Sequence, residues 1–169
     1  SDLLGAHGIG GGLLELHCGW GKTSLALYLL SHFKRKAIVI VHKECLMSQW
    51  EERIAQFLPD ARIGRIQAAV KDIDDKDIVL CMLQSISMKE YDMSTFSSFG
   101  ITVVDEVHHI SSRVFSNALF KLSTTIMLGL SATMARKDKT NYVFSWFMGP
   151  LLHKAVDNTT VTEVVVHAL

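Results

Sequence analysis

The chain has no excess charge of either sign: in 169 residues, 17 lysines and arginines balance 17 aspartates and glutamates. A global basic field is therefore excluded as the means of holding nucleic acid, and any such footprint must be local. Three cysteines, Cys18, Cys45 and Cys81, have no paired spacing, which argues against a disulfide framework and suits a reducing compartment. They read as small buried hydrophobes. No segment resembles a signal peptide, and no apolar run reaches the ~18 residues of a membrane span. There is no internal repeat and no low-complexity segment. An intracellular protein, cytoplasmic or nuclear, with no membrane partner, is the expectation. The chain also lacks an initiating methionine and opens on a glycine-rich stretch, which predicts a trimmed sequence.

What is present is a core. Hydrophobic residues make up 49% and charged ones 20%, enough for one α/β domain rather than a disordered chain. Strand and helix patterns alternate, as in a mostly parallel, doubly wound sheet with helices on both faces. Strands are expected at 13–17, 37–41, 62–66, 78–82, 101–104 and 125–130. Helices are expected at 22–33, 45–57 (ended by Pro59), 112–121 and 139–148, with a short helical piece at 94–99. Residues 69–76 read as a polar loop. Gly149-Pro150 is a stop, so residues 1–150 are expected to form the domain and 151–169 a C-terminal extension, with an edge strand or a connecting path at 162–167.

The run Cys18-Gly19-Trp20-Gly21-Lys22-Thr23-Ser24 follows the apolar strand and opens an amphipathic helix. Gly19 and Gly21 let backbone N–H groups curl around phosphate oxygens, and the helix N-terminus adds its positive dipole end. Lys22 is placed for the β- and γ-phosphates of ATP, and the Thr23 hydroxyl for Mg²⁺. Leu16 stands where the general phosphate-loop pattern has its first glycine. A second stretch, Val103-Val104-Asp105-Glu106-Val107-His108-His109, delivers two carboxylates at the end of a buried strand. Asp105 is placed to hold Mg²⁺ and Glu106 to polarise the attacking water. A third, Leu128-Gly129-Leu130-Ser131-Ala132-Thr133, ends another strand in small hydroxyl residues. Open α/β sheets bind ligands beyond the carboxyl ends of their strands, so the three pieces are expected to meet there. Singly, each also reads as an ordinary strand end. A zinc site built on His108 and His109 is not expected, because neighbouring residues on a strand end point apart.

The order G-x-G-K-T, D-E-x-H, S-A-T resembles superfamily 2 helicases and translocases, and the D-E-V-H form narrows the match. The stretches from Val41 to Trp50, Asp77 to Ser85 and Leu128 to Pro150 are similar to the XPB-like branch, which includes homologues in large DNA viruses and phages. The resemblance runs from about Gly11 to Pro150 and implies the first RecA-like lobe of a two-lobed P-loop motor. The second lobe, bearing arginine fingers, is a partner absent from this chain. Met134 stands where the branch has proline, and there is little room upstream for the adenine-reading glutamine motif. By resemblance, His108 couples the γ-phosphate state to Ser131, Ala132 and Thr133; the competing reading is a histidine bonded to nearby backbone. DNA, single-stranded or duplex, is the implied track. His42, Lys43, Gln49, Gln84 and Ser85 are then candidate phosphate contacts, each equally readable as a solvated or surface group. Trp20 reads as packing under the helix or facing the second lobe, Trp50 as core in preference to stacking a base, Trp146 as core, and Arg136 and Lys137 as facing the lobe interface or a solvated turn. The resemblance implies an ATP-dependent helicase or translocase. The alternative is a nucleotide-gated docking module without productive hydrolysis. A GTPase lacks its N-K-x-D motif here, and a kinase its acceptor site and lid.

Overall fold

The computed structural model describes residues 10–16, 19, 21–132, 147–149 and 151–154. In chain order these form β1 Gly10–Glu15, α1 Lys22–Phe33, β2 Ala37–Val41, α2 Glu44–Phe57, β3 Ile63–Gln67, β4 Val70–Asp72, β5 Ile78–Met82, α3 Leu83–Met88, β6 Ile101–Val104, α4 Ser112–Leu119, β7 Ile126–Ser131 and β8 Leu151–Lys154. Single 3₁₀ turns occupy Met93–Phe96 and Val107–His109.

The strands join in one sheet of order β4-β3-β5-β2-β6-β7-β1-β8. Every pairing is parallel except the β3–β4 hairpin at one edge. The period-two geometry of a strand explains how continuous apolar runs are used on both sides. In β2, Ala37, Val39 and Val41 join the core under α1 and α2, together with Leu27, Leu30, Met47, Trp50 and Ile54. Ile38 and Ile40 point the other way, into a second core with Ile86 of α3 and Phe115 and Leu119 of α4. All five residues of β2 are fully buried. A parallel sheet covered on both faces is the fold that the alternating pattern predicts.

Three departures from the sequence reading have local causes. Residues 70–72, expected as loop, form the edge strand β4; all three are exposed, so no apolar alternation marks them. Ala68, with φ of 49°, turns the chain back into this hairpin. Gln84 and Ser85, which the family resemblance implies sit in a nucleic-acid-contacting loop after the strand, lie in α3, which starts directly after β5 with no turn residue between. Beyond the Gly149-Pro150 stop the sheet continues, as β8 pairs with β1 in parallel. Cys18, Trp20, Thr133, Met134, Arg136, Lys137, Trp146 and the 162–167 strand lie outside the described residues, as does most of the expected 139–148 helix.

Candidate nucleotide site

Parallel strands align their carboxyl ends, and the sequence motifs sit there. The end of β1 leads into the phosphate loop, the end of β6 into Asp105 and Glu106, and β7 ends on Ser131. The backbone N–H of Leu16 donates to the Ser131 carbonyl at 2.9 Å, tying the β1 and β7 ends together.

Gly19 and Gly21 have φ of 87° and 73°. Such angles strain any residue with a Cβ, which is why the loop needs glycine there. Gly21 caps α1 with no side-chain hydrogen bond. The first-turn N–H groups, beginning with those of Lys22, Thr23 and Ser24, have no intrahelical carbonyl to bond, and their residues border an open space. That space is a cleft of about 620 Å³ lined by Gly19, Gly21, Lys22, Thr23, Ser24, Asp105 and Glu106, and by Leu46, Gln49, Glu52 and Arg53 of α2. The donors, the lysine and the hydroxyl suit a triphosphate, and the Asp105 carboxylate beside Thr23 suits a hard divalent cation.

Lys22 Nζ lies 2.5 Å from Glu106 Oε1. The other oxygen, Oε2, is 3.2 Å from His108 Nε2, and His108 Nδ1 is 2.8 Å from Ser131 Oγ. Burial, the largest influence on His108, lowers its pKa, so the ring is neutral at neutral pH. A neutral ring has one donor and one acceptor nitrogen. The carboxylate can only accept, so Nε2–H donates to Glu106 and Nδ1 accepts from the Ser131 hydroxyl. Glu106 itself is in the left-handed region, φ 52° and ψ 46°. A non-glycine residue held there costs about 1 kcal/mol or more, a strain common at functional sites.

Asp105 is 6% exposed, and its Oδ2 accepts a 2.9 Å hydrogen bond from the indole N–H of Trp50. Burial pushes the Asp105 carboxyl up; the Trp50 hydrogen bond opposes this most strongly, and Lys22 opposes it further. Sequence reasoning placed Trp50 in the core but missed this hydrogen bond. It also missed Leu46 and Arg53. Their signal was available: residues 46, 49, 50 and 53 form one stripe of a helix at i, i+3, i+4, i+7 spacing.

The remaining candidates divide. Lys43 is exposed at the end of β2, and Gln84, also exposed, donates from Nε2 to the His42 carbonyl at 3.2 Å. The other three do not suit a strand contact. Both ring nitrogens of His42 are buried without a hydrogen-bond partner. Ser85 is buried, and its Oγ accepts from the Ala68 N–H. Gln49 lines the nucleotide cleft instead. The expectation that His108 and His109 point apart is corrected as well: in a 3₁₀ turn their ring centroids lie 4.1 Å apart, and His109 lies 5.4 Å from His42. Ligand atoms of Glu106, His108 and His109 lie within 4.8 Å of one another. Both Glu106 oxygens and both His108 nitrogens are already partnered, so the cluster is a hydrogen-bonded relay. Ala132 follows Ser131 in a bend at the strand end.

The model of the family described as "Type III restriction enzyme, res subunit" matches residues 6–136. An Acanthamoeba polyphaga mimivirus protein named as an ATP-dependent RNA helicase is 38% identical over 144 residues, 85% of this chain and 28% of its own length. The XPB helicase/translocase subunit of Encephalitozoon cuniculi transcription and repair factor IIH is 28% identical over 85% of the chain and 23% of its own length. The chain thus spans less than a third of either relative. Among solved structures, the UvsW helicase of bacteriophage T4 superposes with a TM-score of 0.68 at 23% identity, covering 83% of this chain and 53% of that one. The Sulfolobus solfataricus SWI2/SNF2 ATPase core in complex with duplex DNA gives 0.64 at 18%, covering 82% and 31%. The Gly19–Thr23 segment, the acidic turn and the Ser131 strand thus sit in a RecA-like fold, and the chain belongs to the Type III restriction enzyme, res subunit family.

Proposed function

We propose that this chain is the ATP-binding motor lobe of an ATP-dependent DNA helicase or translocase. The observation that carries the reading is the Lys22–Glu106 pair at 2.5 Å in a cleft that Thr23 and Asp105 also line. A cation fit to bind phosphate and a carboxylate fit to orient water are paired here, and the γ-phosphate of ATP would take the ammonium from the carboxylate.

Phosphoryl transfer to water asks for positioning and charge neutralisation more than covalent chemistry. Lys22 and the N–H groups of the loop and of α1 hold the β/γ end. Thr23 and Asp105 would hold Mg²⁺, which neutralises charge on the β- and γ-oxygens when bound. Glu106 orients the attacking water and takes its proton. His108 holds the second oxygen of Glu106 and is itself held by Ser131, so the β7 strand end and the segment after it sense the glutamate's position. A second RecA-like lobe from outside this chain completes the site with arginine fingers. Support for that comes from the family resemblance and from the small share of its relatives that the chain spans. Lys43 and Gln84 form the local phosphate footprint for a DNA strand.

The test is ATP turnover with and without single-stranded DNA, duplex DNA and RNA, beside a Glu106→Gln control and an ATP-binding titration. Mg²⁺-dependent binding, with turnover that DNA stimulates and the control abolishes, supports the motor. Binding without turnover in a two-lobed version of the protein would leave the docking-module reading. Stimulation by RNA alone would favour the track named for the mimivirus relative.

A further inference from the structure

A tryptophan buried to 1% exposure carries an obligation that leucine or phenylalanine would not. Its indole N–H is a donor only and must find an acceptor once removed from water. Trp50 meets that need on Asp105 Oδ2 at 2.9 Å, reaching across 55 residues of sequence from the middle of α2 to the end of β6. The ring is packed among Leu27, Leu30 and Met47 on the α1–α2 side of the sheet, so the donor is held in place by the core. Asp105 needs such a partner. Lys22 is committed to Glu106, the other hydrogen bond to the carboxyl comes from the adjacent backbone N–H of Glu106, and a carboxylate's terminal torsion is broad and twofold where nothing across the fold fixes it.

We propose that Trp50 is a positioning residue for the metal-side carboxylate: from α2 its indole N–H holds Asp105 Oδ2 and so sets how the carboxylate faces the cleft shared with Lys22 and Thr23. The inference rests on the reading of Asp105 as the Mg²⁺-holding carboxylate. Trp50 touches neither nucleotide nor metal and acts only through Asp105.

The experiment separates the N–H from the ring. Trp50 is replaced by benzothienylalanine, which keeps the bicyclic shape and exchanges N–H for sulfur, and in parallel by Phe (Trp50→Phe). Mn²⁺ binding in the presence of ATP is followed by electron paramagnetic resonance across pH, ATP binding in EDTA by titration, and folding by thermal melting. The expected result for the benzothienyl protein is near-wild-type melting, unchanged ATP affinity in EDTA, and Mn²⁺ affinity lowered about 10-fold or more, as for outer-shell metal partners generally. Wild-type Mn²⁺ affinity in that protein would overturn the proposal and leave Trp50 as packing alone, even if Trp50→Phe proves too unstable to measure. If the unaltered protein binds ATP in EDTA but shows no Mn²⁺ binding, the metal role of Asp105 falls, and the inference with it. If it binds no ATP, the motor reading fails as a whole.

Discussion

Lys22 Nζ and Glu106 Oε1 are 2.5 Å apart though 84 residues separate them in sequence. The cation proposed to bind phosphate and the anion proposed to orient water thus neutralise one another, and a γ-phosphate would compete with Glu106 for the ammonium. Substituting Glu106→Gln removes that competing charge at nearly constant size, leaving one accepting oxygen where the carboxylate has two. ATP affinity should be equal or a few-fold tighter, and turnover should fall by about 10²- to 10⁴-fold, the usual contribution of a positioned base. Titration calorimetry and phosphate release measure the two. Retained turnover would show that Glu106 only scaffolds Lys22.

Asp105 should cost the fold stability for the sake of the site. Burial raises its pKa, so the native state holds the proton more strongly than the unfolded chain does. The ionised form is therefore a burden above the unfolded pKa, relieved as pH falls through the folded one. Asp105→Asn carries no charge and keeps an acceptor for the Trp50 N–H. It should melt higher than the unaltered protein at neutral pH, lose this advantage as pH falls into the acid range, and lose metal-dependent turnover. A lower melting temperature at pH 7 would mean the carboxylate is structurally required.

Much of this was legible in the sequence because the signals are local. The apolar runs of β2, β5 and β6 announce strands buried on both faces, and the Gly19–Thr23 and Asp105–His109 stretches carry their chemistry in order. What was illegible depends on tertiary distance or on a local turn. Trp50 reads as core by composition; only packing across to β6 reveals the acceptor for its N–H. Gln49 reads as a helix-surface amide, and it takes the position of α2 beside α1 to turn it toward the nucleotide. His108 and His109 read as divergent until a 3₁₀ turn replaces the strand and brings their rings together at a tilt of 43°. The β4 residues carry no period at all, since an exposed edge has no apolar face to show.

His42 is a buried imidazole with both nitrogens unsatisfied. Burial, then His109 and Lys43, lower its pKa, while Glu106 acts weakly the other way. His108 is lowered too, chiefly by burial. Both rings therefore contribute stability present in full above the ordinary imidazole value and lost as pH falls through their lower folded pKa values. Melting temperature should drop between pH 7 and 5. His42→Phe replaces the unsatisfied ring with an apolar one, which should stabilise the fold by about 1 kcal/mol and flatten part of that drop. An unchanged pH profile in the variant would assign the whole effect to other groups.

Lys43 and His42 adjoin in sequence yet should behave oppositely toward nucleic acid. Lys43 is exposed at the β2 end, whereas the His42 nitrogens are sealed from solvent. A phosphate-contacting lysine contributes one unit to counterion release, so Lys43→Ala should weaken binding to any DNA sequence alike. It should also reduce the slope of log affinity against log salt by about 1. His42→Phe should leave that slope unchanged, and Gln49→Ala should alter ATP affinity but not DNA affinity, because Gln49 faces the nucleotide cleft. Fluorescence anisotropy of a labelled strand over a salt series checks all three. A slope unaltered by Lys43→Ala would move the nucleic-acid track away from the β2 end.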